Sequence, residues 1–314
     1  MEQAAMSFLD NTMLISIFAM TLATATPLIL SAIGELMTQR AGIWNLGVEG
    51  TMLTAAFTAY AVVLATGSLG LATLAAVAAG CLVGALTAAL TAGLKLDQFV
   101  IGLTINLLAS GLTLYLFRAS GTNLDTSGLN SFAPVAIPGL SKIPFIGAVL
   151  FDQPLLTYVA FALIPAAWLF LYRTRVGLDL RVLGENPRVL ETRGVAVMPR
   201  LWAATIAGSA MTGLGGAFLM LDLSDRFTPD MSAGRGWLVV VALVAGNWSL
   251  FGTLAAILCF ALLDAIASFG QVLSLPVPYE FLLAMPYLAS IVILTVFRSR
   301  SGQPAQLGIP YTGK

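Results

Sequence analysis

The chain has 314 residues, of which 58% are hydrophobic and only 10% charged, with a mean hydropathy of +0.92. A soluble domain carries about 25% charged residues, so lipid rather than water is the main solvent, and a net charge of zero gives no electrostatic case for nucleic acid. The absence of histidine removes the commonest catalytic base and metal ligand, and with it the histidine-dependent proteases and the zincins.

A membrane-spanning helix needs about 20 mostly apolar residues. Candidate runs are 11–34, 44–66, 70–94, 98–117, 153–172, 200–221, 236–247, 249–273 and 279–297. The first has acids before it and no basic residue, so it reads as a span rather than a secretory signal. The second opens on the densest polar cluster of the apolar region, Glu35, Gln39, Arg40, Asn45 and Glu49. Asn45 and Glu49 are four apart and would share a helix face. That face is expected either to line a substrate path or to pair with a neighbouring helix. Cys81, in the third run, and Cys259, in the eighth, read as buried thiols and not as a disulfide. The third run also holds the close-packing pair Gly80 and Gly84. Asn106, well inside the fourth run, needs a partner for its amide, from a helix or a ligand.

Residues 118–152 form a mixed loop, in which 138–151 is expected as a short interfacial helix or a plain connection. The next polar stretch is 173–200, with six arginines against Asp179, Glu185 and Glu191. Within it Asn186 can cap a helix, Pro187 suits its first position, and Gly194 can end it. A helix that short needs a surface to lie on. The dense patch 208–216 (GSAMTGLGG) suits helix packing; no GxxxxGK[ST] motif is present, so any ATP hydrolysis must come from another chain. The run 236–247 spans only about 18 Å, which raises a re-entrant loop as the alternative; that loop would put Arg298 and Arg300 outside, so two tightly joined crossings within 236–273, broken near Gly246–Asn247, are expected. Asp264, mid-run, is the best single candidate for an ion-pathway or substrate residue.

With the N-terminus outside and each run crossing once, 11 Lys and Arg fall inside (Arg40, Lys95, the six of 173–200, Arg298, Arg300, Lys314). Four fall outside (Arg118, Lys142, Arg226, Arg235). This bias predicts an all-α bundle of about nine (8–10) spans, one transmembrane domain over 1–314, with its C-terminus in the cytoplasm and arginine side chains meeting lipid headgroups.

Several stretches follow one family pattern: GELMTQRAGIWNLGVEGTML, DQFVIGLTINLLASGLTLYL, PGLSKIPFIG, LRVLGENPRVLETRGVAV, GNWSLFGTLAAILCFALLDA and PYEFLLAMPYLASIVIL. Together they resemble permease subunits of bacterial ABC importers of the branched-chain amino acid, simple sugar and nucleoside class. The resemblance is nearest to the shorter permease of nucleoside-type importers. It implies a type II importer-like helical fold in the inner membrane and no cofactor on this chain. ATP would be used by cytoplasmic ATPases, with a second permease and an external solute-binding protein as further partners. It also implies that Gly184, Glu185, Asn186, Pro187, Arg188, Glu191 and Gly194 form the coupling helix that docks in the ATPase. Asn45, Glu49, Asn106 and Asp264 are the expected pathway residues. The rival expectation is an ion-coupled secondary transporter that uses Asp264 or Glu49 and needs no ATPase.

Overall fold

The computed structural model describes residues 11–120, 131–224, 226–272, 279–296 and 302–313. It is a polytopic helical bundle. Long helices are α1 (Asn11–Arg40), α2 (Val48–Thr66), α3 (Leu69–Ala88, continued by a π-helical turn Ala89–Gly93) and α4 (Gln98–Ala119). A two-stranded ribbon, Val135–Ala136 against Asp152–Gln153, encloses the one-turn helix α5 (Ile146–Leu150). Then come α6 (Leu155–Arg173), α7 (Arg175–Glu185), α8 (Arg188–Glu191), α9 (Val197–Leu221), α10 (Arg235–Ala245), α11 (Leu250–Val272) and α12 (Tyr279–Val296). Among the described residues, seven helices are long and apolar enough to cross a membrane: α1, α2, α3, α4, α6, α9 and α11.

Three expectations are corrected here. The first helix does not stop near residue 34 but runs to Arg40, so Glu35 and Gln39 close α1 instead of opening α2. The eleven residues of α10 reach only about 16 Å, half of a hydrocarbon core, so α10 is a half-length helix and does not by itself make the full crossing expected of that run. Nor are the two cysteines buried, since Cys81 is half-buried and Cys259 exposed on the outer face of its span. The break between α10 and α11 does fall at Gly246–Asn247, where Asn247 and Trp248 both take left-handed backbone angles. The residues Arg298, Arg300 and Lys314 used in the charge count, and the side chains of Gln271 and Glu280, lie outside the described residues.

Helix α9 is the centre of the bundle, with 83% of its span buried against 22% for α3. Small residues make this possible. A Cβ on Gly208 would lie 2.1 Å from Thr38 Oγ1, one on Gly34 2.2 Å from Gly208 O, and one on Gly216 2.3 Å from Met52 O. On the α3 side, a Cβ on Gly80 would lie 2.4 Å from Ser209 O. Backbone thus meets backbone along α1, α2 and α3, which any larger residue would force apart.

One end of the bundle carries Arg40, Lys95 and the arginines of 173–200, and is called the arginine end below. At the opposite end α9 stops at Leu221. Asp222 follows, with both carboxylate oxygens buried and without a well-aligned hydrogen bond. Burial pushes this carboxyl up to about 7, while the nearby Phe132 backbone amide pulls the other way. Beyond it Phe227 packs among Phe57, Tyr60 and Phe117, with ring centroids 5.3–5.6 Å away. This aromatic lock holds the chain as it turns back toward α10.

Candidate functional site

Most of the candidate residues gather in two places. The first lies inside the bundle, where two helix N-termini meet. Residues 41–47 run alongside the first turns of α4: the Trp44 amide donates to Gln98 Oε1 at 2.6 Å, and Gly102 abuts Leu46. Asn106 then fixes the start of α2 from both sides. Its Nδ2 donates to Leu46 O at 2.9 Å and its Oδ1 accepts from the Gly50 amide at 2.8 Å. Asn106 is eight residues into α4, so α2 begins about 12 Å in from the arginine end of that helix.

Helix α10 begins at the same place. The Glu49 carboxylate accepts from the Gly234 amide at 2.8 Å through Oε1 and from the Gly236 amide at 2.6 Å through Oε2. Gly234 takes a left-handed φ of +80°, and a Cβ on Gly236 would lie 2.4 Å from the Glu49 backbone nitrogen. The two helices therefore point positive dipole ends at one another, about half a unit charge each, with first-turn amides left over. A carboxylate in the first turn of α2 answers both. Ser110 Oγ bonds Asp230 Oδ1 at 2.6 Å, and Tyr287 Oη donates to Ala233 O at 2.9 Å, so α4, α12 and the lead-in to α10 close around the same point.

Beside this junction is a cavity of about 240 Å³ lined by Thr24, Arg235, Phe260, Asp264 and Tyr287, among others. Asp264 faces it without an ion pair or hydrogen bond among the described residues. Glu49, Asn106 and Asp264 are thus brought to one region. Asn45 is not. It precedes α2 instead of lying on it, because its Oδ1 accepts from the Gly47 amide in a turn. The helical face expected to join Asn45 and Glu49 is therefore not formed.

Asn45 belongs to a buried network at the arginine end. Its Nδ2 donates to Glu35 Oε2 at 3.1 Å, Gln39 Nε2 donates to Glu35 Oε1 at 2.9 Å, and Trp248 Nε1 donates to Gln39 Oε1 at 2.7 Å. The Arg40 guanidinium donates twice to Trp248 O, at 3.0 and 2.7 Å. The α10–α11 break is thereby tied to the end of α1.

The second place is the platform built on 173–200. Sequence reasoning missed α7, whose apolar spacing is hidden among arginines: Leu180 and Leu183 are buried while Arg175 and Glu185 are exposed. Arg200 pairs with Asp179 at 2.9 Å, and Arg173 and Arg181 lie over the rings of Trp168 and Tyr172. These three arginines thus have partners within the chain. Gly184 sits against the Arg40 carbonyl, which a Cβ would approach to 2.3 Å. Asn186 Oδ1 accepts from the Arg188 amide at 3.2 Å, Pro187 holds helical φ, and α8 follows. Leu190 is buried under α8; Arg188, Val189 and Glu191 face outward; and Gly194 ends the segment at φ +71°.

The comparisons fit this architecture. The profile of the branched-chain amino acid transport system / permease component family matches residues 17–297. The guanosine ABC transporter permease protein NupQ of Bacillus subtilis (strain 168) is 34% identical over 301 residues, 93% of this chain and 94% of the relative. TsgC13 of Haloferax volcanii, provisionally named a glucose ABC transporter permease, is 33% identical over 259 residues, 81% of this chain and 78% of its own. The nucleoside ABC transporter permease protein NupC of Lactococcus lactis subsp. cremoris (strain MG1363) is 32% identical over 304 residues, 94% of this chain and 96% of its own. No solved structure matches at a significant level. A multi-pass bundle with a capped helix outside the spans, matched by that profile over nearly its whole length, belongs to the branched-chain amino acid transport system / permease component family.

Proposed function

We propose that this chain is the permease subunit of an ATP-driven importer that carries nucleosides across a bacterial inner membrane. The observation that carries the reading is the likeness to NupQ and NupC, each over more than nine-tenths of both chains. The whole of 1–314 acts as one permease domain beside a second permease. A cytoplasmic ATPase supplies the energy, and an external binding protein delivers the solute. The excess of Lys and Arg at the arginine end supports placing that end in the cytoplasm and the N-terminus outside.

In this reading Gly184, Glu185, Asn186, Pro187, Arg188, Glu191 and Gly194 form the coupling element. ATP binding draws the ATPases together and displaces α7–α8. The displacement passes through the Gly184–Arg40 contact and the Arg40–Trp248 bonds to the base of α10. Helix α10 then moves against Glu49 and Asn106, and the solute passes the face they share with Asp264. Asn45 serves from below, holding Glu35 and the entry to α2. The cavity wall is mostly apolar with few polar groups, which suits brief contact and release. A half-helix is suited to the task, since it has fewer internal bonds to break and its free end is held by a few polar contacts.

The test is uptake of labelled guanosine by cells in which this permease, with its ATPase and binding protein, is the sole nucleoside route. Unlabelled nucleosides should compete and glucose or leucine should not. Competition by glucose or leucine, with none by nucleosides, would overturn the solute class.

A further inference from the structure

The family profile stops at residue 297, yet residues 302–313 are ordered beneath the platform. This tail is fastened at four points. The Gly302 amide donates to Asn247 Oδ1 at the α10–α11 break. The Gln306 amide donates to Gly184 O at 2.7 Å, and the Gly308 amide to Gly42 O at 3.2 Å. Tyr311 Oη bonds the Glu191 carboxylate on α8. Pro304 packs against Gly184, and Leu307 is buried in the main core.

Between the tail and α7–α8 runs a groove of about 540 Å³. Glu185, Arg188 and Glu191 line one wall; Gln306, Ile309 and Thr312 line the other. Ile309 is 54% exposed and Val189, on the outer face of α8, is 41% exposed. Exposed apolar side chains on the spans are covered by lipid, but these two lie beyond the spans, at the segment where energy must enter from another chain.

We propose that residues 302–313 form the second wall of the ATPase docking groove, so that the ATPase grips α8 and the C-terminal tail together. The proposal rests on the reading of α7–α8 as the coupling element. Its occupant is a protruding segment of the ATPase that presents an apolar side chain to Ile309 and charged groups to Arg188 and the two glutamates. The same grip explains the fastening pattern, because the tail bonds α8, the end of α1 and the base of α10. A pull on the groove therefore reaches all three at once.

The experiment uses the full transporter complex in membranes, with Cys81→Ser and Cys259→Ser as background. Val189→Cys and Ile309→Cys are introduced separately and treated with a short bifunctional thiol reagent and a single-cysteine ATPase. Both positions should give a permease–ATPase band. A band from position 189 with none from 309 would overturn the tail as a docking wall while leaving the coupling element in place. Bands from neither would overturn both. The separate variant Ile309→Glu leaves every tail backbone bond intact, and it is expected to lower solute-stimulated ATP hydrolysis by about tenfold, the cost of a charge in a closed contact. Undiminished hydrolysis, with the permease present at its normal level, would also overturn the proposal.

Discussion

Gly236→Ala probes the meeting of α2 and α10 directly. The new Cβ would lie 2.4 Å from Glu49 N and 2.5 Å from Glu49 Cα, both backbone atoms that cannot swing aside. Reaching an ordinary contact of 3.4 Å requires the helices to part by roughly 1 Å. That movement stretches the 2.6 Å bond from the Gly236 amide to Glu49 past bonding range. Losing one bond to a charged group costs about 1.5–3 kcal/mol and the residual crowding about 1–3 kcal/mol, against a gain of up to about 1 kcal/mol in helix propensity. A net loss of about 2–4 kcal/mol is expected, which lowers the melting midpoint by on the order of 5–10 °C. The assay is the monodisperse fraction remaining after heating the detergent-solubilised transporter, with uptake measured in parallel. Gly70→Ala is the control, since a Cβ there meets nothing within 4 Å. If the two variants melt together and transport alike, the account of the junction is wrong.

Three further substitutions extend the test. Asn106→Leu leaves the Gly50 amide and the Leu46 carbonyl without partners and should cost about 2–5 kcal/mol; its uptake should fall while Thr104→Val, on the exposed side of the same helix, is tolerated. Gly184→Ala drives a methyl into the Arg40 carbonyl and should uncouple ATP hydrolysis from uptake, measured as nucleoside moved per ATP split. Asp222→Asn tests the buried carboxyl at the opposite end. Its pKa is raised in the folded state to about 7 from 3.8, so the folded chain holds the proton more tightly than the unfolded one. The wild type should therefore lose melting stability as pH rises from about 4 to about 7, and Asp222→Asn should flatten that slope. An unchanged slope would mean that Asp222 is not the group responsible.

Much of the bundle was legible because lipid imposes a simple rule. Long apolar runs must be helices, and the runs at 70–94, 98–117 and 153–172 correspond closely to α3, α4 and α6. The α10–α11 break and the cap of α8 were legible too, because Gly-Asn and Asn-Pro carry local backbone preferences. What escaped was set by distance along the chain. Nothing near Glu49 announces that its acceptors serve amides 185 and 187 residues away. Four-residue spacing puts Asn45 and Glu49 on one face only where the helix starts before Gly47; the turn at Asn45 delays its start to Val48. Helix α7 was masked by arginines, whose charge outweighs its small buried face in any average. The tail escaped because it has no periodicity, and beyond two turn bonds of its own it is held by partners elsewhere.

The central claim is that the partner ATPase, using ATP and acting through α7–α8, drives a nucleoside past the α2–α10 junction. Its most direct test is nucleoside uptake into proteoliposomes holding the complete transporter with its binding protein, with ATP on the ATPase side and ion gradients collapsed by ionophores. Uptake should proceed with ATP and no gradient, and stop when ATP is withheld. Uptake that follows a proton or sodium gradient without ATP, and disappears with Asp264→Asn or Glu49→Gln, would contradict the account and favour an ion-coupled carrier.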